Sequence, residues 1–332
     1  MTWLVTGGAG YIGSHVARAF LAAGIDVVVI DDLSSGVAAF VPEGALLEQG
    51  SLVDAAFVDR VFAEHPVTGV VHLAGYKYAG VSVQRPMHTY TQNVTATVNL
   101  LNAMHANEVP SIVFSSSAAV YGNTPAEFVT ESTATAPESP YGETKLIGEW
   151  MIADQARATG LRHTSLRYFN VVGSASPEVS DTSPHNLFPL VFRALESGAT
   201  PKIFGDQYPT PDGTCVRDYV HVADVAAAHV EAAKKLDAGV ALERAYNLGS
   251  GSGVSVREIM TEMAEVTGIP FTPEVLPARP GDPARIVASG ELAARDVGWM
   301  PAHTLHDMIA SGWAAARHTA AAAVPAATAA DR

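Results

Sequence analysis

The sequence predicts an α/β protein: a parallel sheet with helices on both faces, followed by a smaller α/β lobe. Three observations lead there. Short β-branched apolar runs recur through the first half, at Trp3-Leu4-Val5, Val27-Val28-Val29-Ile30, Val70-Val71-His72-Leu73 and Ile112-Val113-Phe114-Ser115. Each has strand length and is bounded by turn or polar residues. Helical patterns alternate with them over 11–23, 55–64 and 87–107, as expected of strands joined by crossover helices. A glycine cluster also sits at the first strand-to-helix turn, where an open parallel sheet binds its ligand.

After Phe169 the pattern changes. Residues 173–185 are rich in Ser, Pro, Asp and Glu and read as a long loop. A helix over 187–197, a short strand at Lys202-Ile203-Phe204 and a Pro/Gly loop over 208–213 follow. Ser255-Val256-Arg257-Glu258 is a capping box, opening a helix that stops near Gly268. Expected boundaries are therefore 1–170 for the sheet domain and 171–313 for the second lobe, with segments around 215–250 free to return to the first. The alanine-rich end, 314–332, is expected to be a helix fraying into a disordered tail.

Composition narrows the function. The 332 residues are 48% hydrophobic and 16% charged, with a formal net charge of −14. An acidic surface repels a nucleic-acid backbone, so no nucleic-acid partner is expected. No apolar stretch reads as a bilayer span. The single cysteine, Cys215, forms no internal disulfide and reads as a small buried residue. That usage fits a reducing compartment, and a cytoplasmic location is expected. Nothing in the sequence suggests a metal site.

The glycine cluster is Thr6-Gly7-Gly8-Ala9-Gly10-Tyr11-Ile12-Gly13. Glycines there allow a tight turn and let the backbone approach a pyrophosphate, which the helix N-terminus then binds. Asp31 ends the next strand, 18 residues after Gly13, where a carboxylate holds the adenosine ribose hydroxyls. A 2′-phosphate beside Asp31 and Asp32 meets like charge, and no Arg or Lys stands between Asp31 and Glu43. The expected cofactor is NAD.

Tyr141-Gly142-Glu143-Thr144-Lys145 puts a phenol and an ammonium four residues apart, on one helix face. A phenol with an ordinary pKa of about 10 is a poor base; a neighbouring ammonium and an oxidised nicotinamide are expected to stabilise its phenolate. Ser115-Ser116-Ser117 ends a strand of the same sheet, where a hydroxyl reaches a substrate oxygen and shares its proton with Tyr141.

In these motifs the chain resembles the extended short-chain dehydrogenases/reductases, and among them the UDP-glucose 4-epimerases. The matching stretches are Gly7 to His15, Leu73-Ala74-Gly75-Tyr76-Lys77, Phe114 to Gly122, Tyr141 to Lys145, Leu166 to Asn170, Gly213 to Val222, Tyr246 to Gly249 and Arg279-Pro280-Gly281-Asp282. The resemblance implies a Rossmann-type sheet domain and inversion of C4 of a UDP-hexose through a 4-keto sugar, with tightly bound NAD. UDP-glucuronate and UDP-N-acetylhexosamines remain alternative substrates. It implies catalytic roles for Ser117, Tyr141 and Lys145. Gly7, Gly10, Tyr11, Ile12, Gly13, Asp31, Leu73, Ala74, Gly75, Lys77, Asn93, Ser115 and Tyr168 fall to the cofactor, together with Tyr141 and Lys145. Asn170, Asn186, Leu187, Phe204, Arg217, Arg279 and Asp282 fall to the UDP-sugar, and Ile286 to a wall beside the sugar. Homodimer pairing through the helices near 87–107 and 140–159 is also implied.

The chain departs from that pattern too. Ser51 stands where relatives carry an aspartate for the adenine, and Tyr76 and Tyr78 replace smaller aliphatic residues. Related dehydratases carry an Asp-Glu pair where this chain has Ala118 and Ala119, so elimination lacks its acid and base. An NAD-sensing protein without catalysis is disfavoured by the intact Tyr-Lys pair.

Overall fold

The computed structural model describes residues 1–279 and 281–329, with side chains as far as Ala321. In chain order the first half runs β1 (Thr2–Thr6), α1 (Tyr11–Ala22), β2 (Asp26–Asp31), β3 (Leu46–Gln49), α2 (Ala55–Glu64), β4 (Val67–His72), α3 (Ala79–Ser82), α4 (Pro86–Tyr90), α5 (Ala96–Ala106), β5 (Ser111–Ser115), α6 (Pro140–Thr159) and β6 (Arg162–Tyr168). The second half runs β7 (Asn170–Val172), α7 (Leu187–Glu196), β8 (Lys202–Phe204), β9 (Val216–His221), α8 (Val222–Asp237), β10 (Ala245–Leu248), β11 (Gly253–Ser255), α9 (Val256–Thr267), β12 (Glu274–Leu276), β13 (Arg285–Ile286), α10 (Glu291–Asp296) and α11 (Leu305–Ala329).

Seven parallel strands form the main sheet in the order β10-β6-β5-β4-β1-β2-β3. The order reverses at β1, which makes the sheet doubly wound and opens a crevice beyond its carboxyl edge. Successive side chains of a strand face opposite ways. Trp3 and Val5 therefore join Val27, Val29 and the alanines of α8 on one face. Leu4, Val28 and Ile30 join Val58 of α2, Leu100 of α5 and Ile152 of α6 on the other. With both faces covered, the strands read as near-continuous apolar runs.

The second lobe is built on β9, which pairs with β7, β11 and β13. Its core gathers Phe188 and Phe192 of α7, Ile259 and Met263 of α9, and Ile309 of α11. Ser255 and Glu258 form the expected capping box, and Gly268 ends α9 in the left-handed conformation. The stretch around 215–250 divides between the lobes: β9 belongs to the second, α8 packs on α1, and β10 is an edge strand of the main sheet.

One expectation changes. The helix over 87–107 is α4 and α5 joined by a π-helical turn, Thr91–Thr95, and such turns gather at functional sites. At the other end, α11 runs through the alanine stretch to Ala329, alanine being the strongest helix former; residues 330–332, the end of the expected tail, lie outside the described residues. Among the described residues no helix is long and apolar enough to cross a membrane.

Burial fixes the charge state of several histidines. Burial pulls His15 and His229 down to about 4 and His72 to about 3. Each is neutral in the fold but protonated in the unfolded chain below about pH 6.5. Their contribution to stability is complete above that value and is lost as pH falls towards their folded values, by up to about 1.4 kcal/mol per pH unit for each. Thermal unfolding followed by circular dichroism is therefore expected to show Tm falling steeply from about pH 6.5 to about pH 5; a flat profile contradicts it.

Candidate active site

One cleft of about 1060 Å³ runs along the carboxyl edge of the main sheet and into the second lobe. Its first end is the glycine turn. Gly7 has φ +71° and lies against the Ala74 backbone, a conformation and an approach that favour glycine. A Cβ on Gly13 would stand 2.1 Å from the Gly7 carbonyl oxygen, so the start of α1 closes onto the turn only without a side chain. Gly10, Tyr11 and Ile12 complete this wall. Asp31 lines the same end, its two carboxylate oxygens accepting from the amides of Ala9 (3.0 Å) and Leu33 (2.9 Å). These bonds aim it beside the turn, while burial raises its carboxyl.

The turn is tied to the end of β4 by side chains. Thr6 Oγ1 accepts from the Leu73 and Ala74 amides, both at 3.2 Å, and donates to His72 Nδ1 at 2.8 Å. His72 Nε2 then donates to Thr97 at 3.0 Å, which fits the neutral ring that burial enforces. Leu73, Ala74, Gly75 and Lys77 line the cleft. Asn93 does not. It is buried in the π-helical turn, taking the Tyr76 amide on Oδ1 (2.6 Å) and donating from Nδ2 to Tyr76 O (3.1 Å) and Thr144 Oγ1 (2.8 Å). Asn93 therefore braces the 73–77 turn at the dinucleotide end of the cleft.

The middle of the cleft holds the expected chemistry. Ser139 caps α6 by accepting from the Gly142 amide, with Pro140 in the first turn. Tyr141 thus emerges at the helix N-terminus and Lys145 one turn on. A Cβ on Gly142 would meet the Ala119 carbonyl at 2.6 Å, so α6 starts hard against the turn that carries Ser117. The Ser117 hydroxyl accepts from the Ala119 amide at 3.2 Å, which leaves its proton to donate into the cleft. Lys145 Nζ donates to the Ser115 carbonyl at 2.7 Å, and the Ser115 hydroxyl pairs with the Tyr168 phenol.

Burial lowers the Lys145 ammonium to about 8, with the Glu149 carboxylate pulling it back up. Burial also raises the Tyr141 phenol, against the hydrogen-bonding influence of Ser117. Among the protein's own groups, then, burial outweighs the Ser117 hydrogen bond, and the expected phenolate depends on the nicotinamide as well. Extra positive charge beside the ring is required to ionise it at neutral pH.

Beyond this point lies the second lobe's end. Asn170, Asn186, Leu187, Phe204, Arg217, Arg279 and Asp282 all line it. Arg217 stands 3.4 Å from Asp282, and the Arg279 guanidinium lies 4.0 Å over the Phe204 ring. In an acidic chain, two arginines on one wall make an anion site. Cys215 is buried, as expected, yet it also borders this wall. Ile286 is not among the lining residues. Its side chain packs on the cluster of Val120, Tyr121 and Phe169, of which Phe169 lines the cleft.

Glu149, Arg167 and Ser116 escape a sequence reading. Glu149 lies one turn beyond Lys145 on α6, where a carboxylate ordinarily reads as surface charge. Instead it is forked to the Arg167 guanidinium, with side-chain exposures of 10% and 8%. It also accepts from the Ser116 hydroxyl, between the two site serines. Arg167 donates to Tyr121 (2.9 Å), which donates to Asn247 (2.7 Å). The signal available was the i, i+4 spacing of Lys145 and Glu149.

A dinucleotide turn, an acidic strand end, a Ser/Tyr/Lys centre and a cationic wall in one cleft define a sheet-domain enzyme acting on a phosphorylated ligand. Comparison with known proteins agrees. The family model described as "NAD dependent epimerase/dehydratase family" matches residues 3–249, and the chain belongs to that family. It is similar to a UDP-glucose 4-epimerase of Corynebacterium glutamicum, 44% identical over 319 residues and 95% of each chain. A crystal structure of a UDP-glucose 4-epimerase superposes with a TM-score of 0.92 at 39% identity, covering 96% of this chain and 98% of the other. One from Stenotrophomonas maltophila, with bound NAD and formylated UDP-arabinopyranose, gives 0.91 at 38% identity, covering 97% and 99%. The NAD that the family name specifies fits the residues present: the Gly7–Gly13 approach leaves a cradle that a side chain would fill, and Asp31 stands at the ribose end.

Removing one partner of a buried pair leaves the other charge uncompensated. Glu149→Gln is expected to destabilise the fold by about 3–5 kcal/mol, read as a lowered denaturant midpoint with unchanged slope; an unchanged midpoint contradicts the buried pair.

Proposed function

We propose that the protein is an NAD-dependent UDP-hexose 4-epimerase interconverting UDP-glucose and UDP-galactose. The observation that carries this is the position of Ser117, Tyr141 and Lys145 at the junction of the cleft's two ends, between the dinucleotide turn and the Arg217/Arg279 wall. A sugar whose diphosphate rests on that wall reaches Tyr141 and the cofactor at once.

Bound NAD supplies a hydride acceptor, which serves as donor in the reverse step, and the nicotinamide's positive charge favours the Tyr141 phenolate. Tyr141 takes the C4 hydroxyl proton and later returns it, with Ser117 donating to the same oxygen as charge develops. Lys145 is the local cation, held in place by its bond to the Ser115 carbonyl. Arg217 and Arg279 hold the diphosphate by charge-assisted bonds, so that the 4-keto sugar can turn about its anchored end and present its other face. Ala118 and Ala119, beside Ser117, offer no acid or base for elimination, which keeps the reaction at inversion.

Three further outcomes follow from this reading. Purified protein is expected to convert UDP-galactose to UDP-glucose without added oxidant, and Tyr141→Phe to lower kcat by roughly a hundredfold to ten-thousandfold while calorimetric NAD affinity is kept. Near wild-type turnover in that variant removes Tyr141 from the base role. Arg217→Ala and Arg279→Ala are each expected to weaken UDP binding by about 1.5–3 kcal/mol; unchanged calorimetric affinity in both sinks the diphosphate wall.

We also propose a homodimer. Val83 (62% exposed), Met87 (69%) and Val98 (40%) lie along the α3–α5 stretch, and Trp150 (58%) lies on α6, which packs against α5. Exposed apolar residues gathered on neighbouring helices mark an interface. Light scattering is expected to give twice the chain mass, and Trp150→Glu to shift it towards one chain; a monomeric wild type rejects the dimer.

A further inference from the structure

Four aromatic rings form a ladder across the cleft. His185, in the loop before α7, meets Tyr78 edge-on at 5.1 Å and 78°. Tyr78 meets Tyr76 at 5.4 Å and 84°, and Tyr76 meets His88 of α4 at 4.9 Å and 83°. Such edge-to-face pairs are the favoured aromatic geometry. All four residues line the cleft, so the ladder belongs to its wall and not to a closed core. Its last rung joins the lobes: Tyr78 follows β4 of the main sheet, whereas His185 precedes Asn186 of the second lobe. Tyr78 is also tied to the turn that touches Tyr141: its carbonyl accepts from the Ser82 amide at 2.8 Å. It precedes the first turn of α3, where the Ser82 hydroxyl accepts from the Tyr141 amide at 3.1 Å. On the other side Asn186 is held by Asp181 at 2.8 Å.

We propose that Tyr78 and His185 form a clasp that encloses the sugar while it is oxidised. The clasp rests on the epimerase reading above and goes beyond it. When C4 is oxidised, its hydride passes to the nicotinamide and its hydroxyl proton to Tyr141. Both must return to the same sugar to close the cycle. A 4-keto sugar that leaves takes neither with it, so the dinucleotide stays reduced and that subunit has no hydride acceptor for its next substrate. An enzyme of this kind needs a barrier to escape that still opens once per turnover. One edge-to-face contact suits that need, since it favours the closed form by only about twofold to tenfold. His185 is exposed and Tyr78 half-buried, so the contact can part without disturbing either core.

The test uses NAD-loaded enzyme with UDP-galactose, following reduced dinucleotide by fluorescence and product by chromatography. Tyr78→Ala and His185→Ala are expected to raise reduced dinucleotide per turnover at least about threefold, with activity decaying as turnovers accumulate. His185→Phe keeps a ring and is expected to restore most of the retention, which a loss of general stability would not do. An unchanged ratio in both alanine variants overturns the clasp, as does His185→Phe behaving like His185→Ala. Wild-type enzyme that does not turn over UDP-galactose rejects the epimerase reading and the clasp together, whereas normal turnover with unchanged ratios rejects the clasp alone.

Discussion

The site depends on one buried hydrogen bond, from the Lys145 ammonium to the Ser115 carbonyl at 2.7 Å. It ties the first turns of α6 to the carboxyl end of β5, and these two elements, with the Ser117 turn that follows β5, carry every group expected to move a proton. An ammonium in this place is costly, because burial lowers its proton affinity to about 8. Glu149 opposes that loss from one turn further along α6. Glu149 is in turn paired with Arg167 and tied to Ser116, so the carboxylate that raises Lys145 also fixes the serine run. Structure and chemistry therefore share one network, and no member of it is free to change alone.

The same network explains how a phenol becomes useful. The fold by itself holds Tyr141 protonated, since burial dominates its surroundings. A base that ionises only when a positively charged ring lies beside it is idle until the oxidised dinucleotide is in place. The glycine turn, with its close approach of Gly7 to Gly13, and Asp31 are the residues that would hold that dinucleotide. In the proposed mechanism the second lobe works at a distance, with Arg217 and Arg279 lining the cleft where they would hold a diphosphate while leaving the sugar free to turn.

Much of this was legible in the sequence because it rests on residues whose chemistry has few alternatives. Glycines at a strand-to-helix turn, a carboxylate at the next strand end and Tyr-Lys at helical spacing mean little singly and much together. What escaped was polar structure inside the protein. β6 begins Arg162-His163-Thr164-Ser165, and its polar side chains find partners distant in sequence where they find any: Thr164 Oγ1 donates to the Glu243 carbonyl at 2.9 Å, whereas His163 Nδ1 is buried without one. Hydropathy does not register such partners, so neither this strand nor the Glu149–Arg167 pair stood out. Asn93 braces the turn that lines the dinucleotide end of the cleft, and Ile286 packs on the Phe169 cluster. In both cases side-chain direction, which spacing alone does not give, decides the role.

The central claim is that C4 is oxidised and reduced again within one enclosed site, with the hydride returned to the carbon it left. UDP-galactose carrying deuterium at C4, converted in ordinary water and analysed by nuclear magnetic resonance, tests this directly. The account predicts UDP-glucose with the deuterium retained at C4. Product carrying solvent hydrogen at C4 contradicts it, because the inversion would then proceed by proton exchange and not by transfer to a bound dinucleotide.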